Sequence, residues 1–243
     1  MTTAPTPVSG GHAPHRLTQA LLAALVILVA VAVALLVRHD WGGSSGSSTS
    51  LQGSGVAAAE TRALRSFSGL DLAGSSNVTV HVGGEQRVVV RADDNLVDHV
   101  RTTVQAGRLV ISTPGSFTTR GPMTVDVTVP RLESAVLSGS GIVAVDGVQA
   151  TQFTVRVPGS GLLTVSGRVD RLDASLAGSG DVRLGGLAAR DVTASVSGSG
   201  RLAVQATASL DASISGSGAI FYSGNPATVT RTITGSGAIL EGP

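Results

Sequence analysis

The sequence predicts an all-β fold, a single-stranded parallel β-helix (solenoid), preceded by one N-terminal transmembrane α-helix. Three observations carry this reading. A Gly-Ser-Gly tripeptide recurs six times in the second half of the chain, at intervals of 20, 19, 20, 18 and 19 residues. Short segments of strict apolar/polar alternation flank each copy. Near the N-terminus stands an unbroken, uncharged apolar run from Ala20 to Val37. A period of about 20 residues is the mark of stacked repeat units. Alternation is the mark of strands with one inward face.

Composition agrees with stacked strands. Hydrophobic residues make up 42% of the 243, yet aromatics only 2%. The core must therefore come from Val, Leu, Ile and Ala, which suit short pleated strands. The 32 glycines break the backbone too often for long helices. The formal charge is +1, and all 17 basic residues are Arg. They do not cluster, so no nucleic-acid stripe is implied. Cysteine is absent, which excludes disulfides and thiolate metal sites.

In chain order, residues 1–16 are Pro-, Thr- and Gly-rich without periodicity and read as a disordered tail. His12 and His15 lie in it as solvated side chains. Residues 17–37 are the transmembrane helix. The span from Ala20 to Val37 is about 27 Å long at ~1.5 Å per residue, close to the hydrocarbon thickness of a bilayer. Leu35-Leu36-Val37-Arg38 is a poor cleavage site, which favours an uncleaved anchor over a secretory signal. Arg16 leans the orientation toward a cytoplasmic N-terminus, with the rest of the chain outside. Residues 38–63 read as a Gly/Ser-rich linker. Its extra Gly-Ser-Gly at 53–55 lacks flanking alternation and is set apart from the ladder.

The β-helix domain is expected over 64–243. Phe67, Leu70 and Leu72, then Gly74-Ser75-Ser76, then Val78, Val80 and Val82 form a degenerate first repeat. Val88-Val89-Val90 reads as a strand. Asp93-Asp94-Asn95 reads as a loop or helix start, with Leu96, Val97 and Val100 able to make one helical turn. The segments around Ala106-Gly107 read as a hairpin. Residues 114–122 read as a loop, and Val125, Val127 and Val129 as a strand. After Pro130 the repeats become regular. Residues two, four and six before the first glycine are mostly apolar, as in Phe153-Val155-Val157 and Leu172-Ala174-Leu176. So are those four and six after it, as in Val143-Val145 and Leu163-Val165.

The ladder itself is Gly139-Ser140-Gly141, Gly159-Ser160-Gly161, Gly178-Ser179-Gly180, Gly198-Ser199-Gly200, Gly216-Ser217-Gly218 and Gly235-Ser236-Gly237. Each copy is expected to be a corner between two strands. Positive φ is the expected reason for its glycines, and backbone hydrogen bonding the expected task of its hydroxyls. In the last repeat Arg231 stands where Ala212 stood, and Glu241 where Tyr222 stood. Polar residues at inward positions suit a terminal cap; a local register shift is the rival explanation. Glu133 breaks the pattern in the first regular repeat.

The stretches FSGLDLAGSSNVTVHV (67–82), RVVVRADDNLVDHVRTTVQAGRLVIS (87–112) and VPRLESAVLSGSGIVAV (129–145) resemble the bacterial GIN-domain family, described as a "putative auto-transporter adhesin head domain". The resemblance covers about 64–243. It implies a right-handed parallel β-helix, an envelope location and a surface role. It supplies no catalytic residues.

No residue pattern adds chemistry to this. Nucleophilic serine needs an oriented base, and no histidine follows His99. Calcium-binding β-helices place an Asp in each repeat, whereas only Asp181 directly follows a Gly-Ser-Gly here. Asp170, Asp173, Asp181, Asp191 and Asp211 lie on neighbouring rungs as scattered acids. No catalytic, metal or cofactor residue is therefore expected, and no cofactor. The expected role is a membrane-anchored extracytoplasmic module for surface interaction or envelope structure. Its expected partners are the membrane and a cell-wall or surface glycan or protein, not nucleic acid. A glycan-active or glycan-binding protein and an envelope-sensing ectodomain are the alternatives.

Overall fold

The structure is a computed structural model that describes residues 50–242. The tail 1–16, the apolar segment 17–37 and most of the Gly/Ser-rich stretch lie outside the described residues. Among the described residues no helix is long and apolar enough to cross a membrane.

The strands are β1 (Leu51–Gln52), β2 (Ala57–Arg62), β3 (Gly69–Leu72), β4 (Asn77–Val82), β5 (Arg87–Asp93), β6 (Arg101–Gln105), β7 (Arg108–Ser112), β8 (Phe117–Thr118), β9 (Thr124–Val129), β10 (Ser134–Leu137), β11 (Ile142–Val157), β12 (Leu162–Leu176), β13 (Asp181–Val196), β14 (Arg201–Gly216), β15 (Ala219–Ser223), β16 (Thr228–Gly235) and β17 (Ala238–Glu241). A single 3₁₀ turn, Val97–His99, follows β5. They build a β-solenoid of about five turns.

Each of β11 to β14 serves both walls of a coil. The first residues of β11 pair with β4, while Thr154–Arg156 pair with β10. The first wall thus runs β2-β5-β9-β4-β11-β12-β13-β14-β15-β17, and the second β6-β7-β3-β10-β11-β12-β13-β14-β16. From β9 and β7 toward the C-terminus every pairing is parallel. The inward residues of both walls share one core, which includes Leu70, Val143, Phe153, Leu163, Leu172, Val182, Val192, Leu202, Leu210 and Ile220. The apolar positions expected on either side of the first five Gly-Ser-Gly copies are buried, whereas in the last copy Ile233 is exposed and Val229 only partly buried. Each buried Val or Leu contributes about 1.5–3 kcal/mol, against about 1–2 kcal/mol of backbone entropy for every ordered residue. A rung of some 20 residues cannot offset that alone, and stacking supplies the missing contacts.

Three features differ from the expectation. First, the rungs are not stacked in sequence order. The β3–β4 repeat lies between the later β7/β9 pair and β10/β11. Antiparallel β2, β5 and β6 close that end. Second, the linker expected over 38–63 is not a linker at its C-terminal end. β1 pairs with β8, inside the segment read as a loop, and β2 pairs with β5, so paired strands are present from Leu51 rather than from 64. The 53–55 Gly-Ser-Gly stays apart from the ladder. It is held by the Asp93-Asp94-Asn95 loop, where Asn95 Oδ1 accepts from the Ser54 N–H at 2.9 Å and Asn95 Nδ2 donates to the Gln52 carbonyl at 2.8 Å. Third, Glu133 is solvent-facing because Leu132 fills the core beside it.

The C-terminal cap has the expected register. Arg231 pairs with Ala212 and Glu241 with Tyr222, without a slip. Both converge on the Tyr222 hydroxyl. Arg231 Nη2 donates to it, and its guanidinium lies 5.2 Å from the ring centroid. The two charged groups thus cover the last aromatic of the core where the solenoid ends.

Candidate functional site

All six Gly-Ser-Gly copies stack at one corner of the coil. The backbone ladder continues through them. The Leu162 N–H donates to the Gly141 carbonyl at 3.1 Å, that of Asp181 to Gly161 at 3.1 Å, and that of Arg201 to Gly180 at 3.0 Å. In the first five copies the first glycine is half-buried, in the sixth Gly235 is exposed, and in all six the serine is exposed.

The reason for the glycines is not positive φ, which among the eighteen ladder residues occurs only at Gly235. It is space. A Cβ on Gly159 or Gly178 would overlap the carbonyl oxygen of the glycine one rung below. On Gly216 it would stand 2.6 Å from the Gly198 oxygen, and on Gly218 2.6 Å from that of Gly200. Side chains of the rung below close the same gap; Leu176 Cδ2 would lie 2.6 Å from a Cβ on Gly200. The expected task of the hydroxyls is also corrected. The side chains of Ser140, Ser160, Ser179, Ser199, Ser217 and Ser236 are exposed, and none of their hydroxyls bonds another described side chain or backbone group. Rung spacing places them about 4.8 Å apart along the edge.

Among the described residues no histidine stands beside these serines. His81 lies on β4 beside Asp146, with Nδ1 2.8 Å from Asp146 Oδ2. Asp146 is four residues along β11 from Ile142, or ~13 Å at ~3.3 Å per residue. His99 sits in the 3₁₀ turn. The acids fall on open walls. Asp191 accepts from Ser209 Oγ at 2.6 Å. Contrary to the scattered reading, Asp173 and Asp211 do share a row, with Thr193 between them, but both look out from a flat face. Among the described residues no group of three or more His, Cys, Asp or Glu is placed to hold a metal ion.

One carboxyl on the second wall has an altered acidity. Asp71 lies between Val110 and Val136 of the neighbouring strands. Burial raises its pKa above the usual carboxylate value; the Ser138 hydroxyl at 3.3 Å and the Arg108 charge act in the opposite direction.

The concave surfaces lie elsewhere. At the corner opposite the ladder, one cleft of about 590 Å³ is lined by Arg131, Glu133, Gln149, Gln152 and Thr154. Another of about 530 Å³ runs between Gly147–Ala150 and Gly167–Asp170. A third hollow, about 360 Å³, lies on the first wall near the C-terminus. There Arg183 donates from Nε and Nη2 to Asp181 Oδ2, at 3.0 and 2.7 Å. The Arg201 guanidinium carbon stands 5.7 Å from the Phe221 ring centroid. Reading residue by residue missed this group, since its members on successive rungs are 18 to 20 positions apart. Only the parallel register makes them neighbours.

A parallel β-solenoid with an antiparallel N-terminal closure defines the class of this protein. Its sequence matches the family described as "Putative auto-transporter adhesin, head GIN domain" over residues 66–226, about two thirds of the chain. The chain belongs to that family. Among solved structures, a "putative adhesin" of Bacteroides fragilis is 24% identical with a TM-score of 0.67, covering 79% of this chain and 99% of that one. A "putative lipid binding protein" of Parabacteroides distasonis is 24% identical over the same shares, with a TM-score of 0.48. A "putative adhesin" of the same organism is 21% identical, again over 79% and 99%, with a TM-score of 0.44. The likeness to the Bacteroides fragilis structure speaks to the fold alone. No curated protein matches the sequence.

Proposed function

We propose that this protein is an extracytoplasmic interaction module, tethered to the cell membrane by residues 17–37 and using its β-solenoid for surface adhesion or envelope contact rather than for catalysis. The observation that carries the reading is an adhesin-family solenoid whose second wall presents a long outward row of polar side chains. A row such as Thr154, Asp173, Thr193, Asp211 and Thr230 repeats the same outward position on successive rungs. Extended faces of this kind suit elongated partners. The apolar run 17–37 is long enough to serve as the anchor, and Arg16 favours a cytoplasmic N-terminus.

Protease treatment of intact cells tests this topology. Digestion of the solenoid in intact cells is the expected result. Protection in cells with digestion in inverted vesicles would overturn it. Adhesion of cells carrying the full chain should also exceed that of cells lacking it.

A further inference from the structure

The hollow on the first wall has the chemistry of a binding site. Its walls include Asp181, Arg183, Arg201, Ala203, Phe221 and Ser223. In register, Asp181 faces Arg201, Arg183 faces Ala203, and Ala203 faces Phe221. Three properties of these side chains require a partner. Both hydrogen bonds from Arg183 go to one oxygen of Asp181, leaving the buried Oδ1 with no donor. A buried acceptor without a donor is costly. Arg201 forms no ion pair among the described residues. Finally, Phe221 takes an outward, half-buried position in a chain whose aromatics are only 2% of residues.

We propose that this hollow binds a carboxylated sugar residue of an extracellular polysaccharide. The Phe221 ring offers an apolar platform for the C–H face of a sugar. Arg201 offers a planar fork for its carboxylate, the pairing in which guanidinium is strongest. Two arginines against one aspartate leave the hollow with one positive charge, which an anionic sugar neutralises. Its volume lies at the small end for ligand sites and suits one or two rings. An acyl chain would fill the space but leave Arg201 without a partner. A neutral sugar would leave Arg201 without an anion.

This inference rests on the extracytoplasmic reading, and its test separates the two. The full-length chain in mild detergent is measured by affinity electrophoresis against polygalacturonate, its methyl-esterified form and dextran. Retention by polygalacturonate is expected, with binding to the ester about tenfold weaker or less, as loss of a charge-assisted bidentate contact implies. Arg201→Gln and Phe221→Ala should each weaken polygalacturonate binding by about tenfold with the melting temperature held near that of wild type. Arg201 is exposed, so its variant reports on binding even where Phe221→Ala perturbs the fold. No retention, equal retention of the ester or dextran, or wild-type binding by Arg201→Gln overturns the proposal. Those outcomes with a protease-accessible solenoid overturn the site alone. A protease-protected solenoid overturns the interaction-module reading whatever the polymer does.

Discussion

The two corners of the coil solve the same steric problem in opposite ways. At the Gly-Ser-Gly corner the backbones of successive rungs lie in register, with the ladder bonds carried straight through. At the other corner the register slips from rung to rung, between Val145 and Val148, between Thr164 and Ser166, and between Leu184 and Ala188. Positive φ belongs to this second corner, at Gly147 and Gly167. The clefts of about 590 and 530 Å³ open there as well. The repetition that dominates the sequence therefore records close backbone packing. Variation, and with it room for specificity, collects at the irregular corner and on the outward walls.

The largest effect should come from breaking the regular corner. Gly178→Val places side-chain atoms where the Gly159 carbonyl and Pro158 already stand. The rungs must spread, which strains packing and opens ladder bonds on both walls. A loss of roughly 3 kcal/mol or more is expected from overpacking of this kind. Chemical denaturation would measure it, and a loss below ~1 kcal/mol would show that the corner yields easily.

This result also bears on what the residues revealed in advance. The inward positions were legible because alternation at a fixed offset from each glycine leaves one face to bury, and Phe153, Val155 and Val157 lie where that offset puts them. Arg231 and Glu241 were legible as a cap for the same reason. The order of the first rungs was not. A parallel pairing leaves no local turn signal, so nothing near Leu70 says that its neighbour is Leu109 rather than Ala135 alone. β2 was hidden because Ala57-Ala58-Ala59 has little strand preference. The glycine corner was read correctly but for the wrong cause, since a carbonyl one rung away leaves no trace in local sequence. The hollow of Asp181, Arg201 and Phe221 was invisible for a related reason: its register depends on the corner lengths between them.

A smaller, pH-dependent effect lies at the foot of the regular corner, where Ser138 donates to Asp71. Burial raises the folded pKa of Asp71 above its unfolded value. The folded state then binds a proton more tightly, so this group's stabilisation is complete below the unfolded pKa. It is lost as pH rises through the folded pKa. Asp71→Asn removes the titration. The variant should be more stable than wild type at neutral pH, with the gap closing on acidification. Melting curves from acid to neutral pH would test this; a wild type that is the more stable of the two at neutral pH would refute it.

The smallest effects should come from two substitutions that separate the corners most sharply. Ser179 sits in the middle of the ladder, yet its side chain is exposed and bonds no described group. Gly185 sits at the irregular corner, and a Cβ there would meet nothing within 4 Å. Ser179→Ala and Gly185→Ala should therefore each change stability by no more than about 0.5 kcal/mol. Gly185→Ala could even stabilise, because it narrows the unfolded ensemble at a position free of positive φ. Set beside Gly178→Ala, the pair distinguishes two explanations of the repeat. If the tripeptide works as a unit, Ser179→Ala should approach the cost of its neighbour. If only the stacked glycines matter, Gly178→Ala alone falls, because its Cβ meets the rung below while the hydroxyl of Ser179 faces water.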